Sequence, residues 1–307
     1  MHRIVSQSTR SRVALATLAL CIPISQGSAQ QLAATPAAWA PVEDALGRKG
    51  TMQPGDVLKF AFPRTDLVVV AAGVTVRPAF ALGSWVAFRT AAGNTTMVMG
   101  DLVLIESEVD AVMRALQTGG VEQTALHNHV LNESPHIMYM HISAHGDAAA
   151  IARTIHDALA QSKTPLGPPP TAAAPSAADL DTAGIARTLG FTGKLNGVVY
   201  QVSVPRGERI VEMNQEVPPS MGVATAINFQ PTGGGKAAIT GDFVMRGTEV
   251  NAVIRALTSH GIIVSALHSH MLNEEPRLFF MHFWANDDAV TLAKGLRAAL
   301  DQTNSKR

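Results

Sequence analysis

The sequence predicts an α+β fold built twice in one chain: two homologous units, each a largely antiparallel sheet whose C-terminal half runs β-α-β-β-α. Three observations lead there. The chain repeats itself at a shift of 141 residues, its hydrophobic period switches from strand-like to helix-like in the same order in both copies, and a Pro/Ala-rich stretch separates them.

The repeat is long and almost free of gaps. Ala125–Pro135 (ALHNHVLNESP) recurs as Ala266–Pro276 (ALHSHMLNEEP), Met140-His141 as Met281-His282, Gly100-Asp101 as Gly241-Asp242, and Pro63-Arg64 as Pro205-Arg206 with a one-residue slip. Thr164–Pro175 reads as an extended, semi-stiff spacer. The expected organisation is a signal peptide over 1–29, a first unit over 37–162, a linker over 163–178 and a second unit over 179–303.

In the first unit Val57–Phe62, Leu67–Ala71, Ser84–Phe88 and Thr96–Ile105 are β-rich runs bounded by Gly, Pro and Asn, the pattern of successive strands. Val109, Val112, Met113 and Leu116 then fall at helical spacing, with Ser107 as N-cap and Gly119-Gly120 as the stop. The second unit repeats this with Thr248, then Val250, Val253, Ile254, Leu257 and Gly261. A strand through His127 and His129, a turn over Asn132–Pro135, a strand through Tyr139 and His141, and a helix carrying Ile151, Ile155 and Leu159 complete the unit. Helices gathered on one side of an antiparallel sheet are the simplest packing for that order.

Composition narrows the class. The 307 residues suit two units at ~150 residues per domain. With 47% hydrophobic and 16% charged residues the chain has neither the character of a disordered segment nor the ~20-residue apolar run of a transmembrane segment, so a soluble globular protein is expected. Basic and acidic side chains balance at 24 each with no basic stripe, which excludes nucleic acid as a main partner. Arg3, Arg10 and Arg12 precede the apolar run Val13–Ile24 and the small-residue site Gly27-Ser28-Ala29, the pattern of a cleaved secretory signal, so an exported location, periplasmic or secreted, is expected. Cys21 follows a bulky Leu20 where lipoprotein processing takes a small residue, which favours plain secretion over lipid anchoring. Removing 1–29 leaves 21 basic and 24 acidic side chains, a net charge of −3, and no cysteine. Any metal must then be held by His, Asp or Glu.

Six of the 11 histidines occupy matched positions: His127, His129 and His141, and His268, His270 and His282. His-x-His on a strand points both imidazoles to one face. With a turn near Ser134, antiparallel pairing sets His141 opposite His127 and Tyr139 opposite His129. Glu133 and Glu274, four residues after the second His of each pair, are expected to fold from the turn toward the imidazoles. Three His and one carboxylate make an N/O site in each unit, suited to a divalent transition metal: zinc, manganese, iron, nickel or copper. The spacing of His127, His129 and Glu133 resembles the first metal motif of cupins; the third His and the helices depart from that all-β family, so the likeness is one of ligand geometry. The apolar Leu278, Phe280 and Trp284 on the His side imply a roof from the N-terminal strands or the other unit, enclosing a pocket for a small-molecule ligand.

Two functional classes follow. One is a metal-dependent hydrolase or lyase, in which the ion polarises a carbonyl or activates water and Glu133 or Glu274 ligates or acts as base. The other is a non-catalytic envelope binding or structural protein with a metal-free polar pocket, which should loosen below about pH 6 as its imidazoles charge. Weaker signals are Asp101 and Asp242 as acceptors for a ligand imidazole, and Arg64 and Arg206 as an ion pair or an anion site. Thr232–Lys236 lacks the phosphate-loop spacing and reads as a hairpin tip.

The strings MGDLVL at Met99–Leu104, TALHNH at Thr124–His129, NFQPTGGGKAAITGD at Asn228–Asp242 and EPRLFFMHFW at Glu275–Trp284 resemble the LppY/LpqO-type exported proteins of bacteria. The resemblance spans nearly all of the chain after residue 29. It implies export and a duplicated unit; it supplies no reaction and no oligomeric state.

Overall fold

A computed structural model describes residues 1–2, 35–168 and 179–306, and both repeats belong to one compact unit. The signal segment expected over 1–29, apart from its first two residues, lies outside the described residues, as do Cys21 and residues 169–178 of the spacer. The first repeat runs α1 (Ala40–Leu46), β1 (Thr51–Gln53), β2 (Val57–Pro63), β3 (Val69–Ala71), β4 (Val74–Val76), α2 (Pro78–Ala81), β5 (Gly83–Thr90), β6 (Thr96–Ile105), α3 (Val109–Thr118), β7 (Glu122–His127), β8 (Glu133–Ser134), β9 (Ile137–Gly146) and α4 (Ala148–Leu159). The second runs α5 (Thr182–Leu189), β10 (Lys194–Asn196), β11 (Val199–Pro205), β12 (Val211–Glu212), β13 (Gln215–Glu216), β14 (Ala224–Gly233), β15 (Lys236–Arg246), α6 (Val250–Ser259), β16 (Ile263–His268), β17 (Glu274–Glu275), β18 (Leu278–Asp288) and α7 (Ala289–Leu300).

Each repeat forms one six-stranded antiparallel sheet, ordered β1-β2-β5-β6-β9-β7 and β10-β11-β14-β15-β18-β16. This is the duplicated α+β architecture the sequence predicts. Alternation along the strands assigns the faces. Val98, Leu102 and Leu104 of β6 and Met140, Ile142 and Ala144 of β9 pack under α1, α3 and α4 with Leu46, Leu116 and Ile155. The intervening residues face the other repeat. Met97, Met99 and Ala87 meet Val223, Val244 and Phe280, while Phe80, Val103 and Tyr139 meet Val199, Ala238 and Trp284. The result is four layers, helices, sheet, sheet, helices, with the two sheets face to face. Each fully buried Leu or Phe in these layers contributes roughly 1.5–3 kcal/mol.

The sequence reading missed α1 and α5, which open the repeats. α1 ends at Gly47 in the left-handed region, φ 63°, and α5 is capped by Asp181, whose side chain accepts from Gly184 N at 2.7 Å. The N-cap positions fall one residue later than the expected Ser107 and Thr248, at Glu108 and Glu249, whose side chains turn back to the chain before the helix instead of capping it. Glu108 Oε2 accepts from Ile105 N at 3.0 Å, and Glu249 Oε2 accepts from Arg246 N at 2.6 Å.

The same glutamates hold the buried arginines. Arg64, wholly buried, donates from Nη1 to Val103 O and to Glu108 Oε2, both at 2.8 Å, and from Nε to Asp66 Oδ1 at 2.9 Å. Arg206 does the same with Val244 O, Glu249 and Glu208. Both are ion pairs inside one repeat, tying the segment after β2 or β11 to the helix start, and neither faces the other repeat's site. Thr232–Lys236 is the tip of the β14-β15 hairpin.

Candidate functional site

The histidine pairs do not lie on single strands. β7 stops at His127 and β16 at His268; His129 and His270 fall in the loops that follow. Each edge strand also carries a register irregularity, between Gln123 and Ala125 and between Val264 and Ala266. In consequence His127 pairs with Tyr139 and His141 with Ala125, two residues from the expected register, and His268 pairs with Phe280 and His282 with Ala266. A slip of two conserves the face, so the imidazoles still converge.

They converge as one cluster, and this corrects the expectation of a separate site in each repeat. Because the sheets face each other, His127 stacks on His268 at 3.7 Å between ring centroids, His129 lies against His282 at 3.7 Å, and His141 against His270 at 3.9 Å. Every close pair joins the two repeats. Within a repeat the rings are farther apart, 5.1 Å for His127–His141 and 4.7 Å for His268–His282. Tyr139 stacks on His129 at 3.2 Å and Phe280 on His270 at 3.5 Å, closing the cluster at both ends. These are van der Waals separations, so no organic molecule fits between the paired rings.

Glu133 and Glu274 are not brought in. Glu133 Oε1 accepts from Ile137 N at 3.2 Å; Glu274 Oε1 accepts from Leu278 N at 2.8 Å, and its other oxygen meets Arg277 at 3.2 Å. Both carboxylates close their own loop. The loop segments pair instead with the small hairpins, β8 with β3 and β17 with β12, which draws the glutamates toward those hairpins. The carboxylates at the cluster are Asp101 and Asp242, paired in register with His141 and His282 on the central strands. Asp242 Oδ2 lies 2.9 Å from His270 Nε2, and Asp101 Oδ2 lies 3.7 Å from His129 Nε2. The repeated Gly-Asp inside a long strand run, Gly100-Asp101 and Gly241-Asp242, was the sequence signal for them.

Hydrogen bonding orients the rings. His282 Nδ1 donates to Gly241 O at 2.7 Å and His127 Nδ1 to Asn128 O at 3.1 Å, which leaves each Nε2 as the free lone pair, while His270 Nδ1 donates to Gly222 O at 3.0 Å and its Nε2 faces the Asp242 carboxylate at 2.9 Å. The Nε2 atoms of His127, His129, His141, His268 and His282, and one oxygen each of Asp101 and Asp242, are buried without a hydrogen-bond partner. Burial pushes His127 down to about 3 and holds His129 and His141 well below the ordinary imidazole range; His268 and His282 are lowered by the same cause. Burial pushes Asp101 up to about 7, whereas at Asp242 the opposing burial is outweighed by His282 and His270, and its carboxyl falls below the usual range. Burial therefore holds His127, His129, His141, His268 and His282 toward the neutral form. Three groups have all their donor atoms within 4.8 Å of one another and can hold a metal ion: His127, His129 and His282; His127, His141 and His268; and Asp242, His268 and His270.

Fold and site together define a two-repeat α+β protein with one histidine cluster enclosed between its sheets. The chain belongs to the family described as Domain of Unknown Function (DUF1259), whose model matches residues 40–161 and 183–302. No curated protein matches the chain. It is similar to the crystal structure of a trimeric bacterial microcompartment shell protein, PduB, at 12% identity over 81% of this chain and 87% of that one, with a TM-score of 0.20. It is also similar to EtuB from Clostridium kluyveri, at 11% identity over 81% and 89% with a TM-score of 0.19, and to the double ringed trimeric shell protein MSM0271 from the RMM microcompartment, at 12% over 67% and 81% with a TM-score of 0.19.

These findings correct several expectations. The family is the DUF1259 domain in two copies, in place of the LppY/LpqO type. Two of the three are microcompartment shell proteins and nothing in the comparisons supports the periplasmic or secreted location or the metal-dependent hydrolase or lyase of the sequence reading, so neither is carried forward. Scores this low carry nothing of shell assembly over to this chain. Among the described residues no helix is long and apolar enough to cross a membrane.

Proposed function

We propose that this chain is a non-catalytic binding or structural protein whose working part is the polar pocket shared by its repeats. The observation that carries this reading is the meeting of six imidazoles from both repeats, four buried and two half-buried, in one cluster where the Nε2 atoms of His127, His129, His141, His268 and His282 have no hydrogen-bond partner. Buried polar atoms left unpartnered cost about 1–3 kcal/mol each, so such a cluster calls for an occupant that satisfies it. Neutral imidazoles with a carboxylate suit a divalent transition metal of borderline character: zinc, manganese, iron, nickel or copper. The ligands would be His127, His129, His141, His268, His270 and His282, with Asp101 and Asp242 in the role first given to Glu133 and Glu274. Held there, the ion ties one sheet to the other.

A second reading keeps the same pocket without metal, and the near-parallel stacking of His127 on His268, 22° between planes, favours it, because ligands of one ion aim at a common point. Metal analysis by mass spectrometry separates the two. The metal reading expects about one to two equivalents bound in the purified chain, lost in a His127→Ala, His268→Ala double variant, and a melting temperature that falls on chelation. No metal after exposure to all five ions, with an unchanged melting temperature, leaves the metal-free pocket.

A further inference from the structure

The donor groups divide in a way that neither repeat predicts alone. His127, His129 and His282 form one group and Asp242, His268 and His270 another, and they share no residue. The first already draws on both repeats, two imidazoles from one and the third from the other. Each group has one further donor beside it. Asp101 Oδ2 lies 3.7 Å from His129 Nε2, next to the first group, and the His141 ring lies 3.9 Å from His270, next to the second. With those additions the groups become copies of each other: two imidazoles and the aspartate of one repeat, completed by the strand-borne histidine of its partner repeat. Three nitrogens and one oxygen make a complete four-donor set for zinc or cadmium.

Resting on the metal reading above, we propose that the cluster is a two-ion centre with crossed ligands. His282 completes the site of Asp101, His127 and His129, and His141 completes the site of Asp242, His268 and His270. The fold supplies the reason. His141 and His282 sit on strands next to the cluster's midline and are held there by the pairing Asp101↔His141 and Asp242↔His282, so each third histidine is closer to the opposite repeat's loop histidine than to its own. The third group, His127, His141 and His268, then lies between the two ions and joins their ligand shells.

The test is cadmium NMR on the full chain loaded with isotopically labelled cadmium. The proposal expects two resonances. Asp242→Asn and His141→Ala should shift or abolish the same resonance, and Asp101→Asn and His282→Ala the other. If His282→Ala and Asp242→Asn strike the same resonance, each ion is held within a repeat and the crossing is wrong. A single resonance lost in all four variants means one ion and also overturns it. No bound cadmium at all would overturn the two-ion centre, and no binding of the five ions named above either would sink the metal reading on which it rests. Should a His→Ala chain fail to fold, the near-isosteric His141→Gln and His282→Gln, checked by circular dichroism, are read against the two Asp→Asn variants.

Discussion

The two repeats keep one scaffold and differ around the histidines, and the difference separates what the fold needs from what the site needs. The arginine clamps match in both, Arg64 on Asp66 and Glu108 and Arg206 on Glu208 and Glu249, each with a backbone carbonyl of β6 or β15. The ring that closes the cluster is Tyr139 in one repeat and Phe280 in the other. The third residue of the second strand reaches across to the other repeat in both cases, but by different chemistry: Lys59 to Ser220 O at 3.5 Å, with its ammonium 3.9 Å from the Trp85 ring, and Gln201 to Ala79 O at 2.9 Å. Where Trp85 stands in β5, Ala226 stands in β14. The clamp keeps its arginine and its helix-start glutamate and varies only between Asp66 and Glu208, both carboxylates, because buried charge must be fully paired. The latch across the repeats needs only a donor of the right reach, so it has diverged.

The largest effect expected bears on the shared part. Arg64→Ala leaves Glu108 and Asp66 facing an emptied, buried position and should cost about 3–5 kcal/mol in urea unfolding. Arg206→Ala should cost less, since Glu249 is twice as exposed as Glu108, 14% against 7%. Equal losses would mean the clamps are equivalent after all.

Acidification bears on the site. Five of the six imidazoles have folded-state values below their ordinary 6.5, His127 at about 3, so the stability they lend is present above pH 6.5 and is lost as pH falls toward 3. Burial raises Asp101, Glu133 and Glu212 to about 7, which works the other way: their contribution is present below the ordinary carboxyl range and is lost as pH rises through 7. With five groups against three, the metal-free chain should melt at a lower temperature at pH 5 than at pH 7.5. A higher melting temperature at pH 5 would mean that the carboxyls dominate and that the neutral-imidazole picture is wrong.

Smaller effects sharpen the contrast between repeats. Tyr139→Phe makes the first repeat resemble the second and removes the hydrogen bond to Ala81 O at 2.9 Å, for an expected loss of about 1 kcal/mol. Phe280→Tyr at the matched position should gain nothing comparable if the partner carbonyl is what counts. Smallest is Lys59→Gln. Burial lowers Lys59 to about 8, so its favourable contribution is complete only above 10.5 and is lost as pH falls through 8. At pH 7 the substitution should therefore raise the melting temperature slightly, by less than ~1 kcal/mol in stability, with the gain gone at high pH. A loss at pH 7 would show that the ammonium over Trp85 outweighs its burial.

Much of this was legible in the chain. The strand Thr96–Ile105 has the bounds read from its composition, the helix after it carries Val112 and Leu116 inward as its spacing requires, and the six histidines were singled out by the repeat alone. Other features were not legible, for reasons of distance. Whether a carboxylate four residues after a histidine turns toward it or back to its own loop depends on what the loop pairs with, and β8 and β17 pair with hairpins some sixty residues earlier in the chain. The register of His127 against Tyr139 depends on a bulge that no residue type announces.

By itself the sequence determined the duplicated α+β unit, its alternating faces and the six matched histidines that meet in the cluster, because those depend on period and residue chemistry, which are local. Only the tertiary structure decided that two triads become one cluster and that Asp101 and Asp242 stand where Glu133 and Glu274 were expected. Contacts such as His127 on His268 join residues far apart in the chain, and it is the burial of the apolar residues between the two sheets, and not any feature of either repeat alone, that presses those imidazoles together.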